Sequence, residues 1–377
     1  MRAQRQAVKC IAACWWSIVA VAASSAAAVT STTPLSAVAL EARLTASAGV
    51  PVACEQSLKA AEAKTYVCGP AGGAAFVPHV TIFSTLFRIS DEMVETWLND
   101  ISRQTIVREV ELLVALVDDE YSDVTVDMLG IAMGEAARAD TRASGQLGQL
   151  RVVWFPSDIG LYATWSNLVL RVAHGASYRT NWNPDDRRAP YALARQAAVL
   201  DAMPAVDLVS GPVRQVTRDP LNAIWNTTHD SPVLQLVSAS RGRLPRQLTL
   251  ADFGRVIKGQ FQVINPPHNA PLFRRRVTDV AGGAFDMALD PLSDWALWVR
   301  AIQRGCIYWH LESPLILWYR GPRQYSATHA EKRASAVDRV LKADCSAWER
   351  AMGRDVCSLT ALQREAAATQ NAESGSP

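Results

Sequence analysis

From Val80 onward, short apolar runs alternate with longer stretches whose apolar residues recur every three or four positions. The runs Val80–Leu86, Glu111–Val117, Arg151–Phe155, Ser177–Trp182 and Val206–Ser210 predict strands. Between them, Asp91–Gln104, Val124–Arg138, Ile159–His174 and Pro190–Asp201 predict helices, with Asp91 a good cap and Pro190 at home in a first turn. Strands separated by helices are βαβ units, so the pattern predicts an α/β fold with a parallel, doubly wound sheet. After Ser210 the rhythm breaks, and residues 211–265 carry scattered Pro, Gly and Arg with one or two possible strands. Order resumes from Asn265 to about Tyr319, where Leu292, Trp295, Trp298 or Val299, and Ile302 fall at helical spacing before the apolar runs Cys306–Leu311 and Leu315–Tyr319.

The flanks read differently. Residues 30–77 are rich in Ala, Thr, Pro and Gly and carry little periodicity, which predicts a linker or collar and an ordered domain over 78–320. Residues 321–377 predict one helical stretch, about Glu331–Met352, in an otherwise polar and partly disordered tail. Residues 1–40 contain no acid: Arg2, Arg5 and Lys9 precede an apolar, Ala-rich stretch from Cys10 to Val29. Over 1–29 this is a signal peptide with Ala26-Ala27-Ala28 as its cleavage site, a signal anchor giving single-pass membrane attachment, or an organellar transit peptide. The first two lead to the secretory pathway, ER or Golgi lumen or outside, where Cys54 with Cys68 and Cys345 with Cys357 are placed to form local bridges. Free buried thiols are the other reading of the same residues.

Composition narrows the function classes. With 49% hydrophobic and 20% charged residues the 377-residue chain is an ordinary globular protein, neither disordered nor coiled coil. Lys plus Arg number 38 and Asp plus Glu 36, a formal charge of +2, which leaves no global footprint for nucleic acid. The seven cysteines form no paired CxxC cluster of the zinc type.

Ligands of an open parallel sheet bind beyond the carboxyl ends of its strands. Acids gather there: Asp118 and Asp119 after the second strand, Asp158 after the third, and Asn183-Pro184-Asp185-Asp186 after the fourth. Converging carboxylates need a cation or ligand donors, and hard oxygens suit Mg2+ or Mn2+. Thr85-Leu86-Phe87-Arg88 after the first strand is neither a G-x-G-x-x-G nor a Walker sequence, which counts against dehydrogenases and P-loop NTPases. A metal-bridged diphosphate is the remaining phosphate option.

This order of elements resembles a family 2 glycosyltransferase, the large inverting group with a GT-A fold, over roughly Val80 to Tyr319. The resemblance rests on Val80–Thr85, the Val117-Asp118-Asp119-x-x-Ser122-Asp123 run, Asp158 with Tyr162-x-x-Trp165-x-Asn167, and Asn183-Pro184-Asp185-Asp186-Arg187-Arg188. Pro266-Pro267-His268-Asn269, Leu272-Phe273-Arg274-Arg275, Phe285-Asp286 and Ser293-Asp294-Trp295-Ala296-Leu297-Trp298 complete it. It implies a Rossmann-like, mostly parallel sheet with helices on both faces, and an enzyme moving a sugar from a nucleotide-diphosphate donor, most often UDP-linked, to a carbohydrate, lipid or protein hydroxyl. On that likeness Thr85 and Asp118 or Asp119 stand where the family contacts the base, with Asp158, Asn183 and Asp186 also on the donor side. Asp185 stands in the D-x-D element as the metal ligand, and Asp294 is the general base. Asn183 departs from the family's first Asp in that element. His268, Arg274 and Trp295 are acceptor or phosphate candidates.

Each of these residues has a plain structural reading as well. Asp294 is placed as an ordinary helix cap, Trp295 and Trp298 as core, and Asp185-Asp186 as dipole-stabilising acids before a helix. A catalytically degenerate carbohydrate- or nucleotide-binding domain of the same fold, or a metal-dependent nucleotidyltransferase, stays open beside the transferase.

Overall fold

The computed structural model describes residues 36–56, 65–71, 76–118, 121–138, 146–173, 175–216, 235–236, 245–257, 260–266, 270–312, 316–319, 330–353 and 355. Residues 1–29, read from the sequence as a targeting segment, lie outside them. Among the described residues no helix is long and apolar enough to cross a membrane.

The chain runs through α1 (Ala37–Ala48), β1 (Val52–Gln56), β2 (Tyr66–Pro70), β3 (Val80–Leu86), α2 (Asp91–Ser102), β4 (Val110–Val117), α3 (Asp123–Ala137), β5 (Gln149–Phe155), α4 (Leu161–Asn167), β6 (Tyr178–Asn181), β7 (Arg187–Arg188) and α5 (Ala192–Ala202). It continues as β8 (Leu208–Ser210), β9 (Val213–Val216), β10 (Gln235–Leu236), β11 (Arg246–Leu248), β12 (Gly254–Ile257), β13 (Gln260–Val263), β14 (Leu272–Arg274), α6 (Arg275–Ala281), α7 (Ser293–Gln303), β15 (Tyr308–His310), β16 (Ile316–Tyr319), α8 (Ala330–Ala343) and α9 (Cys345–Met352). A ten-stranded sheet has the order β1-β2-β5-β4-β3-β6-β14-β8-β15-β11. Strands β5, β4, β3 and β6 are mutually parallel, β15 is parallel to β8, and β2, β14 and β11 run the other way. The sheet is therefore mixed and mostly parallel, as the alternating pattern predicts, with antiparallel additions that the pattern does not show.

Strand order reverses at β3. Successive crossovers lead from β3 to β4 to β5 on one side, and the next one passes back over the sheet to β6 on the other. Ligands of an open sheet bind beyond the carboxyl ends of the strands at such a reversal point, here at β3 and β6. Over one face of the sheet lies the main core, in which Phe83 of β3 meets Trp165 of α4 edge-on at 6.2 Å and Phe273 of β14 at 6.4 Å. Helix α4 continues through one wider turn, Leu168–Val172, so the expected helix to His174 ends earlier.

The largest departure lies at residues 30–77. Far from a linker, this segment adds α1 and an antiparallel β1-β2 pair to the edge of the sheet, and the ordered fold begins near Ala37 instead of after Pro78. Ser36 caps α1 by accepting from the Ala39 N–H (3.1 Å), and Leu40, Leu44 and Ala48, four apart, are fully buried. Their contact surface is α3, where Gly130 and Gly134 let the two backbones meet. A Cβ at Gly134 would stand 2.0 Å from the Ala48 carbonyl oxygen. Gly134→Ala should therefore destabilise by about 1–3 kcal/mol in urea denaturation, because the overlap outweighs the gain of up to about 1 kcal/mol that Ala brings to a helix interior. An unchanged or raised midpoint would mean that α1 is not docked there. Cys54 and Cys68 sit directly opposite in the β1-β2 register and form a disulfide. Cys345 is disulfide-bonded too, while Cys357 lies outside the described residues.

Two further expectations change. Residues 211–265 hold more strands than expected: β9 and β10 join β16 and β7 in a four-stranded sheet, and β12-β13 is a hairpin. The single tail helix is two, α8 and α9, broken at Asp344, whose side chain caps the second by accepting from Ala347 N–H (3.1 Å). The tail is docked: Trp348 is fully buried, stacked on Trp295 with ring centroids 6.0 Å apart.

Candidate functional site

The parallel register places the crevice residues. Phe83 pairs with Asn181, so the side chains of Thr85 and Asn181 emerge on the same face of the sheet as Phe83, at its carboxyl edge. Both are buried, and among the described residues Thr85 Oγ1 and Asn181 Nδ2 find no hydrogen-bond partner. Buried polar atoms are normally paired, so two orphans on one face at this strand end make it a candidate place for a ligand or water. Among the described residues Arg88 (φ 54°) and Asp118 (φ 53°) are the non-glycine residues with left-handed backbone, each just past the carboxyl end of a strand, β3 and its neighbour β4. Such strain gathers at functional sites. Asp118 is held there by its N–H donating to the Phe155 carbonyl (2.7 Å) and its own carbonyl accepting from Trp154 Nε1 (3.4 Å), which leaves the carboxylate exposed. Asp119 lies outside the described residues. Asp158, also exposed, accepts from the Gly160 N–H (2.7 Å) and so shapes the turn into α4.

After β6 the chain makes a tight turn, closed by the Asp186 N–H donating to the Asn183 carbonyl (3.1 Å). Asp185 is half-buried and Asp186 is buried. Burial holds the Asp185 carboxyl above its ordinary range, opposed by its own backbone N–H and by the Arg187 guanidinium. The Asp186 charge bears on Arg187 and also on Arg188, a fully buried guanidinium that donates to Thr180 Oγ1 (2.8 Å) and to the Asn181 carbonyl and lies over the Trp182 ring at 4.9 Å. Desolvation brings Arg188 down to about 9. Asp186, read from the sequence as a donor contact, is thus buried as a counter-charge, and Asp185 is the less buried of the two acids.

Asp294 lies in the first turn of α7, over the same face of the sheet. The helix's N-cap is Leu292, which makes no side-chain cap bond, so Asp294 is not the ordinary cap of its sequence position. Its Oδ2 accepts from Asn265 Nδ2 (2.7 Å) and its Oδ1 from the Tyr162 hydroxyl (3.4 Å), which also donates to the Pro291 carbonyl (2.9 Å). Burial raises the Asp294 carboxyl to about 6, against the backbone N–H of Trp295, Asn265 and Tyr162, which favour the ion. A buried carboxylate oriented by two side chains and raised toward neutrality has the features that a general base requires. Tyr162 is two residues into α4, one turn before the Trp165 that packs on Phe83, so the helix ties Asp294 to the β3 strand that carries Thr85.

Two sequence candidates are corrected here. Trp295 has no exposed surface; its Nε1 donates to the Phe253 carbonyl (3.0 Å) and its ring stacks on Trp348, so it is core and no acceptor platform. Arg274 pairs in register with Tyr178, at the start of β6, and so stands at the opposite end of the sheet from the crevice. Its guanidinium is spent on the Val206 (2.9 Å) and Leu200 (2.5 Å) carbonyls and on the Tyr178 ring. His268 lies outside the described residues. Sequence reasoning missed Asn181, Arg88 and Asn265, none of which has a local signature.

No family model matches the chain, and no curated protein does. Solved structures do. Staphylococcus aureus TarS residues 1–349, in complex with UDP-GlcNAc, is 12% identical with a TM-score of 0.50 over 71% of this chain and 67% of that one. The longer S. aureus TarS structure is 14% identical with a TM-score of 0.49, and this chain spans 40% of its length. Pyrobaculum calidifontis mannosyltransferase PcManGT, in complex with GDP-Man and Mn2+, is 16% identical with a TM-score of 0.44, covering 82% of this chain and 74% of that one. With its strand order and its likeness to the TarS 1–349 structure, the chain has a GT-A-like α/β fold.

Proposed function

We propose that the protein is an inverting glycosyltransferase, moving a sugar from a nucleotide-diphosphate donor, UDP-linked in the first instance, to a hydroxyl acceptor. The single observation that carries this reading is Asp294: a buried carboxylate raised to about 6, oriented by Tyr162 and Asn265, over the same face of the sheet as the unpartnered Thr85 and Asn181. Thr85, Asn181 and Asp118 line the donor end, at the reversal point of a GT-A-like sheet. Asp294 takes the proton from the acceptor hydroxyl as that oxygen bonds to the anomeric carbon. The bond from that carbon to the diphosphate oxygen breaks on the opposite face, and its electron pair leaves with the diphosphate.

Mn2+ or Mg2+ fits the partly buried Asp185, because such ions are held by one or two carboxylates with the rest of the shell from substrate phosphates and water. Among the described residues no cluster of three or more metal-ligating side chains exists, so Asp185 and the donor would share the ion. When bound, the ion offsets the charge building on the departing diphosphate. The Cys54–Cys68 bridge supports a secretory compartment for the chain.

The test is thermal unfolding against UDP, GDP, CDP and TDP, each with and without Mn2+. At ~100 times Kd, one diphosphate should stabilise by about 2.7 kcal/mol, with the metal required. Asp185→Ala should remove the metal-dependent part of that shift. Release of free nucleoside diphosphate from the matching nucleotide-sugar separates an enzyme from a binding domain, which would hold the donor intact. No shift with any of the four would end the transferase reading.

A further inference from the structure

We infer that Asp100, on α2, is a positioning residue for the acidic turn after β6: by holding the Arg187 guanidinium it leaves Asp185 available to a divalent cation. This rests on the nucleotide-sugar reading above. Arg187 follows Asp185 and Asp186 directly and is 4% exposed, and its Nε lies 3.5 Å from Asp100 Oδ2. Three carboxylates bear on this one cation, Asp100 most strongly, then Asp186 and Asp185. Chain proximity favours the other pairing, since Asp185 is two residues away and Asp100 is on a separate helix. The fold reverses that preference by burying Asp100 (6% exposed) under β7.

The ranking of charges then sets the roles. Asp186 bears on both guanidinium groups, Arg187 has Asp100 as its strongest counter-charge, and Asp185 is the least buried of the three acids, beyond the strand end. The guanidinium whose charge bears on Asp185 is that same Arg187. A buried cation deprived of its partner takes the nearest remaining carboxylate, because leaving it unpaired is strongly unfavourable. Without Asp100, Arg187 turns to the Asp185-Asp186 turn and occupies the oxygens a metal ion needs. Asn183 sharpens the effect: it brings no charge, so the turn has no spare acid to give up.

The experiment is Mn2+ binding followed by the electron paramagnetic resonance of the free ion, in parallel with saturating UDP and with GDP. Wild type is compared with Asp100→Asn, Arg187→Met and the double variant Asp100→Leu/Arg187→Met. Folded Asp100→Asn should bind Mn2+ about 10–100-fold more weakly, the usual consequence of losing an outer-sphere support. Affinity for the nucleotide without metal should not move. Arg187→Met and the double variant should bind Mn2+ like wild type, since neither has a guanidinium to misplace. Wild-type Mn2+ affinity in folded Asp100→Asn overturns the inference, as does weakened binding in the folded double variant. If Asp100→Asn does not fold, the double variant decides by the same criterion. A wild type that binds Mn2+ with neither nucleotide removes the donor-site reading and this inference with it. Wild-type binding with an unaffected Asp100→Asn removes only the inference.

Discussion

Asp294→Asn should lower kcat by about 10²–10⁴-fold while leaving donor affinity unchanged, because it removes a base and no donor contact. Wild-type kcat/KM should fall on the acid side with a single proton near pH 6, and the residual rate of the variant should lack that limb. The same change should make the protein more stable at neutral pH. The folded-state value of about 6 lies above the ordinary 3.8, so the folded protein holds this proton more tightly than the unfolded chain. That contribution is complete below pH 3.8 and is lost as pH rises through 6, leaving a cost of about 3 kcal/mol for the buried ion. Asparagine avoids the charge, and the site can accept its amide: Asn265 Oδ1 is buried without a partner, so a flip of Asn265 would let it receive the new N–H. Calorimetry at pH 7.5 should show a higher melting temperature in an enzyme that turns over far less. A variant with wild-type turnover would return Asp294 to a purely structural role.

Trp348→Ala should cost about 3–5 kcal/mol, a large share of the stability of any domain. Trp348 is completely buried, stacked on Trp295 and edge-on to Phe261 with ring centroids 5.5 Å apart. Removing the indole leaves a cavity directly behind the residue that follows Asp294, so turnover should drop together with stability. Trp348→Phe, which keeps a ring in the slot, should recover most of both. A loss under about 1 kcal/mol in urea denaturation would make α9 an appendage of the fold.

The parallel core is legible from the chain because local pattern decides it. Strand β4 is an eight-residue fully buried strand, and the helices flanking it have capping side chains, Ser90 and Ser122, one residue before their first turns, Ser90 taking the place expected for Asp91, which is the first residue of the helix. Helix α1 is harder to read. Leu40, Leu44 and Ala48 do recur every four residues, but in an Ala- and Thr-rich segment whose groove, Gly130 and Gly134, is more than eighty residues away. The candidate base shows the same division. Its place before a Trp-rich helix can be seen in the sequence, whereas the residues that orient it, Asn265 and Tyr162, come from separate loops and helices and carry no mark of that task. Arg274 fails for a related reason: three consecutive arginines say nothing about which end of a sheet they occupy, and the β14-β6 register settles it.

The bridge between Cys54 and Cys68 also bears on how an edge of the sheet is protected. Strand β1 is one of the two outermost strands of the ten, and an outermost strand offers unsatisfied amides and carbonyls to any neighbour that can extend the ladder. With the covalent tie, β1 cannot peel away from β2 to expose a fresh, flat template. In a reducing cytosol that tie is absent, and the released edge invites copies of the chain to zip together, so inclusion bodies are the expected product of cytosolic expression and dispersed protein that of an oxidising compartment.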